Sequence, residues 1–283
     1  MFQNGELDLI DLDTVDTVLV KRSYKVDHAD KIVSTPCVGE TFMVLNLNNS
    51  FLKDPRVRKA INMAIDVDAM ISSIYGGVAR REHGIIPTGV WGHNDDLEGF
   101  PYDVEQARQV LRDAGYAEGE IHFEIMLSSA ADSNMQLMCQ AISHDLSAVG
   151  IDAQIRNVDS SAYLELRSKG KADAYIAYWL MDYNDPANNL AVFFGGPEAT
   201  ASRGLNYPDA KVMEEVAHAR FIVDDDERKA TYQRLEQKIV MEDVAWVPLV
   251  EKEHLFCMGE RVRSFTPHWA GYGDYYIADV VLE

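Results

Sequence analysis

The hydrophobic pattern between residues 121 and 180 changes period four times, and this alternation limits the fold more than any other feature of the sequence. Segments with apolar side chains at every second position, typical of strands, are separated by segments with apolar side chains at helical spacing. The predicted strands are 121–127, 151–155 and 174–179, and the predicted helices are 135–149, closed by Gly150, and a second from an N-cap at Ser160 to Gly170. The sequence therefore predicts a βαβαβ core of an α/β protein, with right-handed crossovers between parallel strands.

The stretch from Tyr178 to Pro186 lies where the third predicted strand ends. It reads Tyr-Trp-Leu-Met-Asp-Tyr-Asn-Asp-Pro, so an indole, two phenols and two carboxylates fall within nine residues. Ligand sites of open α/β sheets lie beyond the carboxyl ends of the strands, where such side chains converge on a small molecule. We therefore interpret this stretch as a binding loop.

The two carboxylates of this stretch have different interpretations. Asp185 followed by Pro186 is typical of a helix N-cap and a proline in the first turn. Asp182 has no such structural explanation, because its neighbours are apolar or aromatic. A carboxylate there could pair with a cationic group of a ligand, and a solvated loop acid is the alternative. The candidate ligand-binding residues are Asp182, Trp179, Tyr183 and Tyr178.

The charge of the chain excludes some partners. It has 283 residues, with 46 Asp and Glu against 26 Lys and Arg, and a net charge of −20. This balance is unfavourable for binding the phosphate backbone of nucleic acids or an anionic membrane surface. With 47% hydrophobic residues the chain has enough apolar material for a packed core. We expect no nucleic-acid partner, and solubility is a sufficient explanation of the acidity.

Sequence motifs for catalysis and metal binding are absent. There is no Gly-x-Ser-x-Gly, no phosphate loop ending in Gly-Lys-Ser/Thr, no His-Glu-x-x-His and no Cys-x-x-Cys. The eight histidines contain no pair at the spacing of a helical metal site. Cys37, Cys139 and Cys257 are too few for a disulfide framework, and whether Cys37 approaches Cys257 is left open. We expect a protein that is not an enzyme and that holds no metal or cofactor.

Local patterns predict further elements around the βαβαβ core. Asp54-Pro55, Asp66 and Asp103 each precede apolar residues at helical spacing and predict three capped helices. On the first, Val57, Ile61, Ala64 and Ile65 form the apolar stripe, and Arg56, Arg58 and Lys59 lie elsewhere on the helix. Residues 80–101 are predicted as a loop, 190–194 as a short helix, 208 and 224 as starts of packing helices, and 41–46, 246–250, 254–258 and 275–282 as strands.

Segments spread along the chain, in one order, resemble family 5 extracellular solute-binding proteins, the peptide and nickel receptors of ABC importers. They are Asn46–Asn48, Asp54–Asp66, Gly84–Pro87, Tyr102-Asp103 with Ala107, Leu111–Tyr116, Leu146–Ile151 and Trp179-x-x-Asp182-Tyr183-x-Asp185-Pro186. The resemblance covers nearly the whole chain, and the set is far more specific than any one segment.

The resemblance implies a periplasmic-binding-protein-like (type II) clamshell, whose lobes close over a ligand across hinge strands. It implies a complete ligand-binding lobe at residues 45–250, with 1–44 as a fragment of the N-terminal lobe plus the first hinge strand, and 251–283 as a return segment. The hinge strands are expected at residues 42–45 and 246–251. Family chains extend further on the N-terminal side, so the clamshell is expected to be incomplete and its site open and solvated. In peptide-binding members the aspartate of Trp-x-x-Asp pairs with the peptide α-ammonium, and this position is Asp182.

One departure from the family pattern concerns selectivity. Dipeptide-selective relatives place an arginine for the ligand carboxylate near the turn before the helix that contains Tyr163. This sequence has Asp159-Ser160-Ser161-Ala162 there. The resemblance therefore does not imply strict dipeptide selectivity.

The function implied by the resemblance is that of a non-catalytic, monomeric substrate-binding component, which captures peptides or a similar small ligand for the membrane permease of an ABC importer. The expected location is extracytoplasmic, either periplasmic or as a membrane-anchored lipoprotein. A signal segment is absent from residues 1–20, which are acidic, and the chain is expected to be truncated. Two alternatives stay open: the ligand-sensing lobe of a cytoplasmic transcription regulator, and a receptor for a metal chelate or haem.

Overall fold

The computed structural model describes residues 1–12, 29–267 and 280–282. The strands are β1 (Leu9–Asp11), β2 (Ile32–Leu45), β3 (Ala79–Arg81), β4 (His122–Ser128), β5 (Asp152–Val158), β6 (Ala174–Leu180), β7 (Val247–Met258), β8 (Val262–Ser264) and β9 (Val281–Leu282). The α-helices are α1 (Pro55–Ala64), α2 (Val67–Ser73), α3 (Val104–Asp113), α4 (Ser133–Ala148), α5 (Ser160–Ser168), α6 (Ala187–Phe194), α7 (Pro197–Ser202), α8 (Ala210–Ala219) and α9 (Asp225–Gln237). Short 3-10 turns span Phe2–Asn4 and Ala29–Lys31, and a π-helical turn at Lys238–Glu242 continues α9.

In the described part of the chain seven strands form one mixed sheet, in the order β1-β7-β2-β6-β4-β5 with β3 paired to β7. β4 is parallel to β5 and β6, whereas β2 is antiparallel to β6 and β7. The strands β8 and β9 pair with each other apart from this sheet. The predicted βαβαβ core is confirmed, with β4, β5 and β6 connected through α4 and α5.

Aspartate caps fix the starts of several helices, because a carboxylate satisfies backbone N–H groups that have no partner within the helix. The predicted caps Asp54, Asp66 and Asp103 each accept a hydrogen bond from the first turn of α1, α2 and α3. The predicted cap Ser160 is wrong by one residue. Asp159 caps α5 instead, since its carboxylate accepts from the backbone N–H of Ser161.

Helix α1 is amphipathic, and its predicted apolar stripe is buried. Arg58 is not part of this stripe, and its side chain is nevertheless buried. Its guanidinium donates to the backbone carbonyls of Leu52, Asp243 and Val244. Burial lowers the pKa of Arg58 to about 10. The carbonyls compensate part of the desolvation and join α1 to the segment before β7.

The main core is formed where β2 and β7 meet α6. Trp246 is fully buried and stacks on Phe42, with 4.1 Å between ring centroids. Phe193 of α6 contacts both rings edge-on, at 5.2 Å from Phe42 and 5.0 Å from Trp246. Burying one such aromatic side chain stabilises the fold by roughly 3 kcal/mol. This aromatic cluster holds α6 against the centre of the sheet.

The paired strands β2 and β7 are longer than predicted. The predicted strands 246–250 and 254–258 are parts of β7, because the polar residues between them interrupt the hydrophobic pattern without ending the strand. The first residues of the loop predicted at 80–101 belong to β3. Its residues Ala79–Arg81 pair with Val250–Lys252. The register of β2 against β7 shifts between Pro36 and Glu40. The strand predicted at 275–282 lies largely outside the described residues, which there include only β9.

The remaining predicted helices are present with shifted ends. The helix predicted at 190–194 is the end of α6, and the helix predicted from Pro208 is α8, capped by Asp209. Asp224 caps α9 as predicted. Among the described helices, we find none with the length and apolar character that crossing a bilayer requires. All three cysteines are buried thiols, so Cys37 and Cys257 form no disulfide with each other.

Candidate functional site

The loop at residues 181–186 joins β6 to α6 at the carboxyl end of β6. Because β4 runs parallel to β6, the carboxyl end of β4 at Ser128 lies at the same edge of the sheet. Asp182 is exposed in this loop, and no hydrogen bond or ion pair joins it to another residue of the described ranges. Its carboxylate is therefore available to a group from outside the chain.

Trp179 lies near the end of β6 and is half-buried against α6. Its indole N–H donates to Oδ1 of Asn188 at 3.0 Å, and its ring contacts Phe193 edge-on at 5.5 Å. The other face is covered by a guanidinium, because the Arg203 Cζ lies 4.8 Å from the ring centroid. The indole is thus held in one orientation on the α6 side of the sheet.

Tyr178 projects from the opposite face of β6, because successive side chains of a strand alternate. Its hydroxyl lies 3.3 Å from Sγ of Cys37, and Nζ of Lys252 lies 5.1 Å from its ring centroid. Gly39 of β2 passes directly beneath the ring, since a Cβ on Gly39 would lie 2.4 Å from the Tyr178 hydroxyl. A ligand on one face of β6 therefore contacts either Trp179 or Tyr178, and the loop beyond the strand is common to both faces.

Of the remaining residues of the loop, one is exposed and two are bonded to other segments of the chain. Tyr183 is 51% exposed, which leaves most of its phenol accessible. Asn184 accepts a 2.7 Å hydrogen bond from the backbone N–H of Trp91, so the loop is fixed to the segment after β3. Asp185 forms an ion pair with Arg228 of α9.

Asp185 was predicted to be the N-cap of α6. In the structure it lies one position before the N-cap. The residue at the N-cap position is Pro186, and the Asp185 carboxylate accepts the backbone N–H of Ala187 at 2.9 Å. The interpretation of Asp185 as a helix-starting residue is therefore correct in chemistry and shifted by one residue in position.

A cavity of about 310 Å³ opens at the carboxyl ends of β4 and β6, and its lining reaches Tyr178 but includes no residue of the 181–186 loop. It lies between the start of α4 and helix α5, and its lining mixes apolar, hydroxyl and cationic groups with the carboxylate of Asp132. The residues that define it are Met126, Ser128, Met135, Tyr163, Arg167 and Tyr178. A volume of this size accommodates a small ligand.

Arg167 and Arg203 are cationic side chains at this edge that the sequence patterns did not single out. Arg167 lines the cavity, with its guanidinium carbon 6.0 Å from the ring centroid of Tyr175. Arg203 covers Trp179, and the Tyr175 hydroxyl donates to its backbone carbonyl. Partial burial, followed by repulsion from Arg167, lowers the pKa of Arg203. No sequence signal indicates Arg203, because it comes to β6 from the end of the separate helix α7.

Four glutamates, also not predicted, are buried behind the site: Glu40, Glu82, Glu236 and Glu251. They come from β2, the segment after β3, α9 and β7. Glu236 Oε1 accepts the backbone N–H groups of Ile85 and Ile86 at 2.6 and 2.8 Å. Glu40 accepts from the side-chain amide of Asn189 at 2.7 Å, which links this buried glutamate group to α6.

The buried glutamate group resists ionisation. Burial raises the pKa of Glu236 and of Glu251 to about 8, and repulsion from Glu82 adds to both shifts. Burial also raises the pKa of Glu82, and burial together with Glu82 raises that of Glu40. Near pH 7 Glu236 and Glu251 are therefore held largely as neutral acids.

We searched residues 1–12, 29–267 and 280–282 for groups of three or more His, Cys, Asp or Glu side chains placed to hold a metal ion, and found none. The buried glutamates accept hydrogen bonds from amides, as Glu236 does from Ile85 and Glu40 does from Asn189. The geometry of the described site thus consists of an exposed acid, aromatic rings and two arginines.

Comparison with known proteins agrees with this architecture. A sequence model of bacterial extracellular solute-binding proteins, family 5 Middle, matches residues 1–201. The chain is 29% identical over 257 residues to "Probable di/tripeptide-binding protein 5" of Pseudomonas aeruginosa (strain UCBPP-PA14), covering 89% of this chain and 48% of the relative. It is 26% identical over 254 residues to "Heme-binding protein A" of Haemophilus influenzae, covering 89% of this chain and 46% of the relative.

The solved structure of HbpA2 from Haemophilus parasuis superposes with a TM-score of 0.86 at 23% identity, and the match covers 100% of this chain and 55% of that one. The fold is therefore periplasmic-binding-protein-like, as expected. Together with the sequence match, this shows that the chain belongs to the family 5 bacterial extracellular solute-binding proteins. The chain spans about half the length of the curated relatives that it matches.

Proposed function

We propose that this chain supplies the ligand-binding lobe of a non-catalytic, substrate-binding component of an ABC importer, and that the ligand is a peptide. The observation that carries the proposal is Asp182, an exposed carboxylate without a partner in the described ranges, in the loop that follows the carboxyl end of β6. Similarity to a relative named for di/tripeptide binding supports a peptide as the ligand.

Recognition would combine one charge-assisted contact with aromatic packing. Asp182 pairs with the α-ammonium of the peptide, because an ionised donor and acceptor make a stronger hydrogen bond than neutral groups. Trp179 and Tyr183 offer apolar surface to the peptide side chains, and Tyr178 contacts groups that enter from the other face of β6. The rigid hold on Trp179 by Asn188 and Phe193 reduces the ordering cost of binding.

The division into lobes is part of the proposal. Residues 45–250 form the ligand-binding lobe, 1–44 comprise a fragment of the N-terminal lobe and the first hinge strand, and 251–283 form the return segment to the N-terminal lobe. The grouping of buried apolar side chains supports a boundary along β2 and β7, since the largest cluster draws on residues 38–250 and so includes residues 42–44 of the first hinge strand. Two small clusters, one with Leu12 and Leu255 and one with Phe256 and Phe265, lie apart from it.

The hinge is proposed where β2 and β7 leave the larger cluster. Residues 41–43 of β2 pair with residues 247–250 of β7. Two adjacent antiparallel strands that continue from one cluster to the next form the connection that a clamshell needs for bending.

The proposed partner is the membrane permease of the importer, and the proposed location is extracytoplasmic, with the binding component acting as a monomer. The sequence encoded upstream of residue 1 tests this location. A signal segment or a lipoprotein cysteine supports transport, whereas a helix-turn-helix domain would favour the alternative, a ligand-sensing lobe of a cytoplasmic regulator.

Calorimetry with matched peptides tests the role of Asp182. The protein in its natural length is titrated with trialanine and with N-acetyl-trialanine, which lacks the ammonium group. We expect Asp182→Asn to weaken trialanine binding by about tenfold or more and to abolish the preference for the free ammonium. The control is Glu214→Gln, which removes an exposed acid of α8. Equal trialanine affinity in Asp182→Asn and the unchanged protein would contradict the proposal.

A second candidate is a receptor for haem or a metal chelate, favoured by the similarity to the relative named heme-binding protein A. It predicts a Soret absorption change when hemin is added to the protein, and metal in the protein as purified. Saturable hemin binding that trialanine does not displace would favour this candidate over peptide capture.

A further inference from the structure

The binding loop at residues 181–186 is attached to the rest of the protein at both of its ends. At its start, the backbone N–H of Met181 donates to the carbonyl oxygen of Val38 in β2 at 3.0 Å, and the Met181 side chain is buried. At its end, the last three residues contact a separate part of the chain. Asp182 and Tyr183 lie between these two attachments and are exposed. The direction in which the Asp182 carboxylate points therefore depends on both attachments.

The second attachment begins with the segment at residues 90–93. The backbone N–H of Trp91 donates to Oδ1 of Asn184 at 2.7 Å. Pro186 packs directly on Gly92, because a Cβ on Gly92 would lie 2.8 Å from Cγ of Pro186. Gly92 also has a φ of +95°, so a larger residue is disfavoured there by its backbone as well. This segment therefore fits closely against the end of the binding loop.

An ion pair adds helix α9 to the second attachment. Arg228 pairs with Asp185, and the two side chains are only 16% and 20% exposed. Cζ of Arg228 lies 4.9 Å from the ring centroid of Trp91. The side-chain amide of Gln233 donates to the carbonyl oxygen of His93 at 3.0 Å. Because α9 contacts both the loop and the segment beside it, it holds the two together.

The face of α9 that makes the ion pair is part of the core. Arg228, Tyr232 and Glu236 recur at every fourth position and so lie on one side of the helix. Tyr232 is fully buried, and Glu236 accepts the backbone N–H groups of Ile85 and Ile86. A helix fixed in this way is a rigid support for a residue that must meet a ligand in one orientation.

We propose that Arg228, through Asp185, and the segment at residues 90–93, through Asn184, position the carboxylate of Asp182 for the ammonium group of the ligand. Arg228 is thus a positioning residue that acts through the loop. The inference rests on the proposed peptide function and adds the residues that determine its specificity for a free ammonium. Without the second attachment, the loop would have to be ordered during binding, and this ordering costs affinity.

Calorimetry of the protein in its natural length, with trialanine and N-acetyl-trialanine, measures the preference for the free ammonium. We expect Arg228→Gln and Asn184→Ala each to reduce this preference by about fivefold, with N-acetyl-trialanine binding almost unchanged. Arg228→Lys should retain part of the preference, because its cation can still pair with Asp185. Asn184→Ala leaves every buried charge in place, so it tests the second attachment even if Arg228→Gln does not fold.

The matched control is Arg234→Gln. Arg234 lies on the same helix and also forms an ion pair, with Glu215 of α8 at 2.6 Å, but its side chain is 59% exposed. The variant should keep the full preference. If Arg228→Gln and Asn184→Ala also keep it, the positioning role is overturned while peptide capture stands.

A measurement without any ligand separates the attachment from the peptide function. With ¹⁵N-labelled tyrosine, the amide order parameter of Tyr183 should be about 0.85 in the unchanged protein and in Arg234→Gln, and should fall below about 0.6 in Arg228→Gln. Equal order in all three would overturn the proposal. A loss of order confined to Arg228→Gln, with neither peptide bound by the unchanged protein, would support the positioning of Asp182 and contradict peptide capture.

Discussion

Acidic side chains occupy two opposite environments in this protein, and the contrast separates structural roles from recognition. The buried glutamate group, Glu40, Glu82, Glu236 and Glu251, is enclosed between β2, β7 and α9 and hydrogen-bonds to amides. Asp182 lies in water at the end of β6 and has no partner in the described structure. The buried acids stabilise the fold when they are neutral, whereas the exposed acid can act on a ligand only when it is charged.

The largest effect that tests this comparison is a loss of stability as the pH rises. Burial raises the pKa of Glu236 and of Glu251 to about 8, whereas an unfolded glutamate has a pKa of about 4.3. Below the unfolded value both states are protonated and the stability is fully present. Between these two values the unfolded state releases its protons first, so the free energy of unfolding falls until the pH passes the folded pKa.

We therefore expect the protein to be less stable at pH 8 than at pH 5, by an amount on the order of several kcal/mol. Urea unfolding followed by tryptophan fluorescence at both pH values measures the difference. Equal or greater stability at pH 8 would show that the buried glutamate group is already ionised at lower pH, and the comparison would then fail.

The next effect isolates one member of the group. Glu236→Gln keeps an oxygen that accepts the N–H groups of Ile85 and Ile86 but cannot ionise. We expect it to reduce the fall in stability between pH 5 and pH 8 by about 1 kcal/mol or more. The exposed Glu214→Gln is the control, and it should keep the full pH dependence. An unchanged pH dependence in Glu236→Gln would assign the effect to other groups.

Asp182→Asn should weaken peptide binding and leave the stability almost unchanged, in contrast to a substitution in the buried glutamate group. Since the carboxylate has no partner in the described structure, its neutralisation should change the free energy of unfolding by less than about 0.5 kcal/mol. Binding of a peptide with a free ammonium should weaken by about tenfold. Thermal unfolding and calorimetry on the same sample measure both quantities. A large loss of stability would mean that Asp182 has a structural role, and it would remove the distinction from the buried acids.

An intermediate loss of stability is expected at Asp185, whose environment lies between the other two. It is half-buried, pairs with Arg228 and accepts the N–H of Ala187. Asp185→Asn retains an acceptor for Ala187 but loses the charge, so we expect a loss of about 1 kcal/mol in stability. Chemical denaturation measures it, with Arg228→Gln as the partner variant. Additive losses in the double variant would indicate that the two side chains do not interact energetically.

The sequence predicted the parts of the fold that depend on local chemistry. The alternation of β4, α4 and β5 and the caps Asp54 and Asp103 follow from neighbouring residues, and the structure confirms them. The family and fold class followed from many matched segments. Arg58 shows the limit of local reasoning, because a carbonyl that accepts from its guanidinium lies 186 positions away.

The candidate site was predictable in outline. The strand-end position of Asp182 and the exposure of Tyr183 follow from the loop that begins at Met181. The placement of Tyr178 and Trp179 on opposite faces also follows from the alternation of a strand, although the sequence interpretation treated both as ligand contacts. The buried glutamate group and Arg203 were not predictable, because periodicity treats charged residues as surface positions and their neighbours come from distant segments.

The close approach of Gly39 to Tyr178 has a consequence for how this protein can vary. A methyl group at residue 39 would lie 2.4 Å from the Tyr178 hydroxyl and 3.0 Å from the Trp179 carbonyl oxygen, so the restriction there is one of space. Substitutions at the two positions are therefore epistatic. Gly39→Ala should require the Tyr178 side chain to move or to be replaced by a smaller one, and the 3.0 Å contact with the Trp179 carbonyl oxygen would remain in either case.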